Sequence, residues 1–383
     1  MGQKISVMVA DDSALMRRMI SDMINMESDM EVIEIARNGE DLLEKLKTLK
    51  PDVITLDVEM PKMSGIEALK KIVEMKLHSK VIMLSSLTKD GADTTMECLE
   101  LGAIDFVPKP SGSISLDINA VKEILISKIK SASKSRNMMS RSINKRTSIN
   151  STIDSKAKEA ISTLKSKDVT ANHDEKRPLA NRNSTSKKIV SSGKISAVVI
   201  GASTGGPKAL YEVITKLPSN LNVPVLVVQH MPEGFTKAFA DRLNRFSNLS
   251  VVEASEGMDV EKGVVYIAPG GKHMTVIDKK IRLNLEPSIW GVRPAVDKLF
   301  VSAVKEYRNN LLGVILTGMG RDGADGIVAI KQAGGYTISE DESTCVIYGM
   351  PRAAFETNMV DEVIPLYDVS KRISNIVLGE GRN

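Results

Sequence analysis

Two series of short, continuous apolar runs most constrain the fold of this chain. The runs of the first series are four to six residues long and cover residues 5–10, 32–36, 53–56, 81–84 and 104–107. Runs of this length are typical of parallel strands that are buried on both faces. Amphipathic stretches lie between them; in residues 13–26, for example, Leu15, Met19, Met23 and Met26 follow helical spacing. The alternation predicts a doubly wound α/β domain, whose ligand site lies beyond the carboxyl ends of the strands.

A basic, serine-rich segment separates the two series. Residues 131–193 contain 14 lysines and arginines against 5 aspartates and glutamates, whereas residues 1–130 contain 17 against 22 and residues 194–383 contain 21 of each. The segment has almost no clustering of aromatic or β-branched residues, so it cannot bury enough apolar surface to offset the entropy of ordering. We therefore predict a disordered linker between domains at residues 1–130 and 194–383. A basic arm that binds nucleic acid or an acidic partner is the alternative.

The overall composition indicates a globular protein without a membrane anchor. Hydrophobic residues make up 42% of the chain and charged residues 26%, which is enough apolar material for sizeable cores. No apolar run approaches the roughly 18–20 residues that cross a bilayer, so no membrane insertion is expected. The two cysteines, Cys98 and Cys345, lie far apart and form no metal-ligand spacing. A reduced, cytoplasmic protein is expected from this cysteine usage.

Polar residues follow the runs of the first series where the predicted strands end. Asp11 and Asp12 follow the first run, Asp57 the third, Ser85 the fourth and Lys109 the fifth. Three carboxylates that converge at one edge of a sheet repel one another unless a cation joins them. Oxygen ligands with open positions suit Mg²⁺, which readily shares a phosphate. A lysine and a hydroxyl at the same place could hold the other phosphate oxygens.

Residues 1–125 resemble the receiver domain of response regulators. The resemblance implies a flavodoxin-like fold in which Asp57 accepts a phosphoryl group from a histidine kinase, while Ser85 and Lys109 sense the new phosphate. The Mg²⁺ ligands that it implies are Asp12, Asp57 and the carbonyl of Glu59, with Asp11 acting directly or through water. The motifs that carry the resemblance are Asp11-Asp12, Leu56-Asp57-Val58-Glu59-Met60-Pro61, Met63-Ser64-Gly65, Ser85 and Phe106-Val107-Pro108-Lys109-Pro110.

The second series begins with an apolar run at residues 195–200 that leads into a glycine-rich turn. The turn, residues 201–207, lacks both the Gly-Lys-Ser/Thr ending of a phosphate loop and the Gly-x-Gly-x-x-Gly pattern of a dinucleotide turn. Residues 201–205 do match Gly-x-Ser-x-Gly, the tight turn that presents a nucleophilic serine beside backbone donors. Ser203 is therefore a candidate nucleophile, and the amphipathic residues 208–216 should form the helix that follows it.

A serine nucleophile needs a base, and the chain has four histidines. His78 lies near the end of a receiver helix and His173 lies in the predicted linker. His230 follows the apolar run 223–228, so it lies at a strand end as Ser203 does, whereas His273 is expected in a loop. The shared position at strand ends favours His230 over His273.

The acid that orients the histidine has three candidates. Asp322 follows the apolar run 311–316 on a third strand-end loop, and Asp325 lies just beyond it at a predicted helix start, where capping is the commoner role. The chain order of α/β hydrolases, Ser…Asp…His, would instead require Asp259 and His273. We favour Asp322, because a buried aspartate stabilises the imidazolium that forms when the histidine takes the serine proton.

Residues 195–378 resemble the catalytic domain of chemotaxis-specific protein-glutamate methylesterases and glutamine deamidases, the CheB family. The resemblance implies a second doubly wound parallel sheet, the triad Ser203, His230 and Asp322, and an oxyanion hole from the N–H groups of Thr204 and Met319. The matching motifs are Gly201-Ala202-Ser203-Thr204-Gly205-Gly206-Pro207, Gln229-His230-Met231-Pro232, Ala268-Pro269-Gly270-Gly271-Lys272-His273-Met274, Leu316-Thr317-Gly318-Met319-Gly320-Arg321-Asp322-Gly323 and Val346-Ile347-Tyr348-Gly349-Met350-Pro351.

This second resemblance implies substrates, partners and regulation. The family's substrate is a methylated glutamate, or a particular glutamine, on the cytoplasmic helices of chemoreceptors, and the phosphodonor is the chemotaxis histidine kinase. The receiver would need Mg²⁺ for phosphorylation, whereas no metal or organic cofactor is expected for the esterase reaction. A receiver placed ahead of an enzyme further predicts that the unphosphorylated receiver covers the serine site and that phosphorylation of Asp57 opens it.

Three other classes of protein share some of these features. A transcriptional response regulator would end in a basic helix-turn-helix module, but residues 194–383 have no net charge and no basic recognition helix, so no nucleic acid is expected. A non-catalytic adaptor would result if the three triad residues did not converge in space. A serine hydrolase that acts on small esters is the nearest enzymatic alternative.

Overall fold

The two series of strands form two separate parallel sheets. A computed structural model describes residues 4–86, 88–109, 115–135 and 195–379 of the chain. The strand order is β2-β1-β3-β4-β5 in the N-terminal sheet and β14-β13-β12-β6-β7-β9-β8 in the C-terminal sheet, with β10 and β11 paired apart from it. The α/β class and the two parallel sheets expected from the sequence are therefore confirmed. Within the described ranges, no helix is long and apolar enough to cross a membrane.

In the N-terminal sheet, the first strand of the chain lies second in the sheet order, and the later strands are added on both sides of it. Its elements are β1 (Ile5–Ala10), α1 (Ala14–Asn25), β2 (Met30–Ala36), α2 (Gly39–Lys45), β3 (Val53–Asp57), α3 (Gly65–Glu74), β4 (Lys80–Ser85), α4 (Lys89–Leu101), β5 (Asp105–Pro108) and α5 (Ser115–Lys134). Each predicted strand is present, with ends that shift by at most two residues. The chain turns first to β2 on one side of β1 and then to β3 on the other, so a crevice opens between the carboxyl ends of β1 and β3.

The buried face of α1 differs from the predicted one. Leu15 and Met26 are 73% and 71% exposed, whereas Ile20, Met23 and Ile24 are buried. These three side chains pack in one cluster with apolar residues of β1 and α5. The predicted stripe was wrong at both ends, because the position of α5 decides which face of α1 is covered.

Helix α5 extends into the segment assigned to the linker. The predicted boundary lies after residue 130, but α5 continues to Lys134. Ile129 and Ala132 are fully buried, so the last turns of the helix belong to the core of the N-terminal domain. The rest of the predicted linker lies outside the described residues, so its disorder stays a prediction.

The C-terminal sheet is also doubly wound, and the first of its strands along the chain lies at its centre. Its elements are β6 (Ala197–Ala202), α6 (Gly206–Ile214), β7 (Val225–Gln229), α7 (Phe235–Phe246), β8 (Ser250–Glu253), β9 (Val264–Ile267), β10 (His273–Ile277), β11 (Lys280–Asn284), α8 (Val296–Tyr307), β12 (Leu311–Ile315), α9 (Ala324–Gln332), β13 (Tyr336–Glu340), α10 (Met350–Glu356), β14 (Glu362–Ile364) and α11 (Leu366–Leu378). All six residues of β6 are buried. The winding direction reverses between β6 and β12, which opens the second crevice.

Residues of both sheets belong to one compact unit, and α4 packs against α7. The carboxylate of Glu100 on α4 pairs with the guanidinium of Arg242 on α7 through two hydrogen bonds. The rings of Phe106 on β5 and Phe235 on α7 are tilted by 39° with centroids 4.4 Å apart. The contact between the described parts of the two domains therefore combines packed aromatic rings with the Glu100–Arg242 ion pair.

Candidate functional site

Ser203 lies in the turn between β6 and α6, in the second crevice. Gly205, in the same turn, has a φ of +78°, which a residue with a side chain rarely adopts. The N–H group of Ser203 donates to the carbonyl of Thr317 at 3.0 Å, which links the turn to the loop after β12. Ser203 is half-buried at this turn.

His230 is the first residue after β7, beside Ser203. Its N–H group donates to the carbonyl of Ala202 at 3.0 Å, which continues the β6–β7 pairing to the strand ends. The side chain of Gln229 donates from Nε2 to the carbonyls of Ser203 at 2.9 Å and His230 at 3.1 Å. Gln229 thus holds the two residues at one edge, a role that the sequence analysis did not assign to it.

Asp322 lies against the imidazole of His230. His230 Nε2 and Asp322 Oδ2 are 2.7 Å apart, with 9% and 2% of the two side chains exposed. Burial alone would raise the pKa of Asp322, but the hydrogen bond and charge of His230, with the N–H groups of Asp297 and Val296, hold this pKa below its ordinary value. An ionised Asp322 keeps the proton on Nε2, which leaves Nδ1 free to act as the base.

The structure brings His230 and Asp322 into hydrogen-bond contact but not Ser203 and His230. Within residues 195–379, the hydrogen bond of the His230 ring goes to Asp322, and none joins it to the Ser203 hydroxyl. Catalytic hydrogen bonds are often long in sites without substrate and tighten when the substrate binds. The neighbouring strand ends place the two residues at one edge of the sheet, and the hydrogen bond between them stays a prediction.

The loop after β12 approaches Ser203 closely enough to supply oxyanion donors. A Cβ atom on Gly318 would lie 2.8 Å from Ser203 Cβ, so only glycine allows this approach. In residues 195–379, no backbone carbonyl accepts a hydrogen bond from the N–H groups of Thr204 or Met319. These two N–H groups are available to an anion, so the oxyanion role implied for them stays a prediction that the backbone allows.

A buried carboxylate that the sequence analysis missed supports the same loop. Glu340 Oε2 accepts from the N–H group of Thr317 at 2.7 Å, and Oε1 accepts from the hydroxyl of Thr344 at 3.0 Å. Burial raises the pKa of Glu340 to about 7. The Thr317 hydroxyl in turn donates to the carbonyl of Thr204 at 3.1 Å. Glu340 therefore holds the end of β12, and the loop that follows this strand brings Gly318 close to Ser203.

The other candidates for base and acid lie elsewhere. His273 opens β10 rather than lying in a loop, and it is fully buried. Its Nδ1 accepts from the N–H group of Ala295 and its Nε2 contacts the carbonyl of Pro287, so both ring nitrogens have structural partners. Asp259 pairs with Lys280. The remaining candidates are Asp325, which pairs with Arg321 in solvent, His78, which follows α3, and His173, which lies outside the described residues.

The first crevice gathers the acidic residues that the sequence predicts there. Asp11, Asp12 and Asp57 each place one carboxylate oxygen so that these atoms lie within 4.8 Å of one another. Lys109 Nζ lies 2.7 Å from Asp57 Oδ1 and 3.0 Å from Asp11 Oδ2. The N–H group of Glu59 donates to Asp57 Oδ1 at 3.3 Å. The three carboxylates are therefore arranged as a candidate site for a cation.

The electrostatics of this crevice fit a divalent cation such as Mg²⁺. Burial raises the pKa of Asp57 to about 6, although the hydrogen bond and charge of Lys109 oppose the shift. Burial would lower the pKa of Lys109, but Asp57 and Asp11 raise it above its ordinary value. Among the described residues, Asp57 Oδ2 is buried and has no hydrogen-bond partner. A buried carboxylate oxygen without a donor is the expected partner of a metal ion.

Ser85 is occupied by protein partners in this structure. Its hydroxyl donates to the carbonyl of Gly91 at 3.1 Å and receives the hydroxyl of Thr95 at 2.6 Å. A phosphate-sensing role would require Ser85 to exchange these partners, so this role stays a prediction. Pro110, the last residue of the receiver motif, lies outside the described residues.

An acidic receiver site in one domain and a Ser–His–Asp set in the other define a class of protein: a response regulator with a hydrolase as its output domain. Comparison with family models agrees with this division. Residues 7–119 match the response regulator receiver domain, and residues 198–373 match the CheB methylesterase.

Known proteins resemble the chain over nearly its whole length. It is 51% identical over 379 residues to the protein-glutamate methylesterase/protein-glutamine glutaminase of Clostridium acetobutylicum, which covers 98% of this chain and 99% of that protein. It is 42% identical to the protein of that name from Bacillus subtilis (strain 168), with 98% and 99% covered. The solved CheB methylesterase catalytic domain of Thermotoga maritima is 43% identical, with a TM-score of 0.47, and matches 48% of this chain and 100% of that one.

The chain belongs to the family of receiver-linked protein-glutamate methylesterases/protein-glutamine glutaminases. The family expected from the sequence is thereby confirmed, as is the activity class of an esterase and glutaminase in chemotaxis.

Proposed function

We propose that Ser203, His230 and Asp322 hydrolyse γ-glutamyl methyl esters, and specific glutamine amides, on the cytoplasmic helices of chemoreceptors. The observation that carries the proposal is the 2.7 Å contact between His230 and Asp322 at the strand ends beside Ser203. Receptor helices as substrate also place the protein in the cytoplasm. The domain boundaries, near residue 134 at the end of α5 and near residue 193, are part of the same proposal.

The reaction proceeds through an acyl-enzyme in two halves. His230 takes the Ser203 proton while Ser203 Oγ attacks the γ-carbonyl carbon of the ester, and the carbonyl π electrons move to the oxygen. The tetrahedral intermediate collapses, the bond to the methoxy group breaks, and the imidazolium returns the proton so that methanol leaves. With a glutamine substrate the leaving group is ammonia. Water then attacks the acyl carbon with His230 as base, which frees Ser203 and leaves glutamate.

The N–H groups of Thr204 and Met319 stabilise the oxyanion of the tetrahedral intermediates. Donors that are already oriented cost no reorganisation when the charge develops, and the loss of one such donor costs on the order of 3–4 kcal/mol in comparable sites. This arrangement requires glycine at position 318, since any side chain there would push the loop that carries Met319 away from Ser203.

Asp57 accepts a phosphoryl group from the chemotaxis histidine kinase. Asp12, Asp57 and the carbonyl of Glu59 would hold Mg²⁺, with Asp11 acting directly or through water. The cation would neutralise charge on the phosphoryl oxygens. Lys109 pairs with the phosphate after transfer, and the Ser85 hydroxyl turns towards it.

Phosphorylation controls access to the serine site. The hydroxyls of Ser127 and Ser131, both on α5, donate to the sulfur of Met319 at 3.1 and 2.7 Å, so the receiver touches the loop of the oxyanion donors. In the unphosphorylated state this contact, with the Glu100–Arg242 pair, keeps the receiver over the site. Phosphorylation of Asp57 shifts the population towards an open form.

Methanol release from a methylated chemoreceptor tests the proposed activity. The full chain should release methanol and leave glutamate at the same site by mass spectrometry, whereas Ser203→Ala should lose at least about 10³-fold in rate. A generic small ester is the comparison substrate. A normal rate for Ser203→Ala would remove the assignment, and activity confined to the small ester would make the chain a general esterase.

A further inference from the structure

Two helices begin beside Asp322 without a capping side chain of their own. α8 begins after Ala295 and α9 after Gly323, and neither residue offers a side-chain hydrogen bond to the first turn. The first N–H groups of a helix have no partner inside it, so they need one from elsewhere. Asp322 provides it for α8, since its carboxylate accepts from the N–H groups of Val296 and Asp297 at 2.6 and 2.9 Å.

Asp297 accepts the corresponding hydrogen bonds at the start of α9. Its Oδ1 accepts from the N–H groups of Gly323 and Gly326 at 3.0 and 2.7 Å, and its Oδ2 receives the indole N–H of Trp290 at 3.4 Å. Only 7% of Asp297 is exposed. Each aspartate therefore caps the helix that adjoins the other one, and Asp322 is held between the two helix starts.

We propose that Asp297 is a positioning residue for the hydrolysis: it fixes the loop that carries Asp322 and, through Asp322, sets the orientation of the His230 ring. The inference rests on the proposed function, because it assigns a role within the same Ser–His–Asp site. Among the described residues, the Asp297 side chain has no hydrogen bond to His230 or Ser203, so its effect passes through the backbone of residues 322–326.

Asp297 is a second buried carboxyl group beside the triad acid. Burial and the charge of Asp322 together raise the pKa of Asp297 to about 7, and the charge of Asp325 on α9 acts in the same direction. Asp297 is therefore partly protonated near neutral pH, and its role in the proposal rests on its hydrogen bonds to the N–H groups of Gly323 and Gly326.

Variants of Asp297 in the full chain test the proposal, with methylated receptor as substrate. Asp297→Ala removes the acceptor and should lower kcat about 10- to 100-fold with KM within about twofold, because misplacement of a catalytic group costs that much. Asp297→Asn keeps an acceptor oxygen and should recover most of kcat. Asp325→Asn, a matched change on the exposed side of α9, should alter neither kcat nor KM.

A spectroscopic measurement separates this proposal from the proposed function. The proton between His230 Nε2 and Asp322 should give a strongly downfield ¹H NMR signal that is absent in Asp322→Asn and displaced in Asp297→Ala. If Ser203→Ala remained fully active, the proposed function would fail, yet this signal would still report whether Asp297 orients the ring.

The positioning role would be overturned if Asp297→Ala kept the wild-type kcat and the wild-type downfield signal. A lower urea midpoint alone would then show that Asp297 only caps a helix. Should Asp297→Ala not fold, Asp297→Ser decides the matter, because its hydroxyl oxygen is one bond closer to the backbone than Asp297 Oδ1; a wild-type kcat and an undisplaced signal in that variant contradict the proposal.

Discussion

The receiver site and the hydrolase site lie at equivalent places in two sheets, but they differ in how their carboxylates are bound. Each lies where the winding of a parallel sheet reverses, between β1 and β3 in one case and between β6 and β12 in the other. The receiver site gathers three carboxylates and one lysine. In the hydrolase site, the carboxylate that faces the histidine accepts hydrogen bonds at both of its oxygens. The topology decides where chemistry can occur, and the residues at the strand ends decide which chemistry it is.

Buried carboxyl groups show the difference most clearly. Asp57 and Glu340 both lie at strand ends, and burial raises the pKa of both, to about 6 and about 7. Asp57 Oδ2 has no hydrogen-bond partner among the described residues, whereas both oxygens of Glu340 accept a hydrogen bond. A raised pKa alone therefore does not separate a reactive carboxylate from a structural one. The two carboxylates are separated by the oxygen of Asp57 that has no hydrogen-bond partner among the described residues.

The largest effect should come from a change confined to the hydrolase site. Asp322→Asn is expected to lower kcat about 10²–10⁴-fold, because an amide beside His230 Nε2 favours the wrong tautomer of the ring. Methanol release measures the loss. Phosphoryl uptake at Asp57 from a small phosphodonor is the control and should stay at the wild-type level. A parallel loss of phosphorylation would mean that the two sites do not work separately.

The converse change should affect regulation and leave the chemistry intact. Asp57→Asn should abolish phosphoryl uptake and with it the whole stimulation of methylesterase activity, expected within the usual 5- to 150-fold range of allosteric coupling. The unstimulated rate should equal that of the wild type. Asp22→Asn, at an exposed position on α1, should keep both uptake and stimulation. Stimulation that persisted in Asp57→Asn would place the phosphorylated residue elsewhere.

Glu340→Gln tests whether the satisfied carboxylate is structural. The pKa of Glu340 is about 7 in the folded protein against an ordinary 4.5, so the folded state binds its proton more tightly than the unfolded state does. Its contribution to stability therefore falls as the pH rises from about 4.5 to 7. The variant should gain free energy of unfolding relative to the wild type between pH 5 and pH 8, by on the order of 2 kcal/mol.

Urea unfolding at the two pH values measures this gain. Glu356→Gln, an exposed position on α10, should show none. An equal change at both pH values would contradict a buried, proton-binding Glu340.

The smallest effect should come from the contact between the domains. The Glu100–Arg242 pair is partly exposed, so its loss should cost at most about 1 kcal/mol of docking free energy. Arg242→Ala should therefore raise the unstimulated methylesterase rate about two- to fivefold and reduce the stimulation by the same factor. Arg245→Ala on the same helix is the control. An unchanged unstimulated rate would argue that the α4–α7 contact does not restrain the enzyme.

The sequence was sufficient to predict most of what the strand ends carry. Parallel strands bring their carboxyl ends together, so Asp11, Asp57, His230 and Asp322 could be placed from the apolar runs that precede them. Helix faces were harder to predict. Leu15 and Met26 follow helical spacing, yet the side chains that α5 covers are Ile20, Met23 and Ile24.

The supporting residues could not be predicted from their own neighbourhoods. Asp297 lies 25 residues from Asp322 in sequence and Glu340 lies 23 residues from Thr317, so no local pattern links either pair. His273 resembled a loop residue because Gly270 and Gly271 precede it, but pairing with β11 makes it the first residue of a strand. Partners that are distant in sequence require the packing of helices and strands to be known first.

Detection of the acyl-enzyme tests the central claim most directly. Wild-type protein mixed with a methylated receptor peptide would be quenched in acid during the first turnover and mapped by mass spectrometry. The account predicts a glutamyl acyl group on Ser203, formed together with one equivalent of methanol and absent from Ser203→Ala. Methanol formed at the wild-type rate without any acyl group on Ser203 would contradict it.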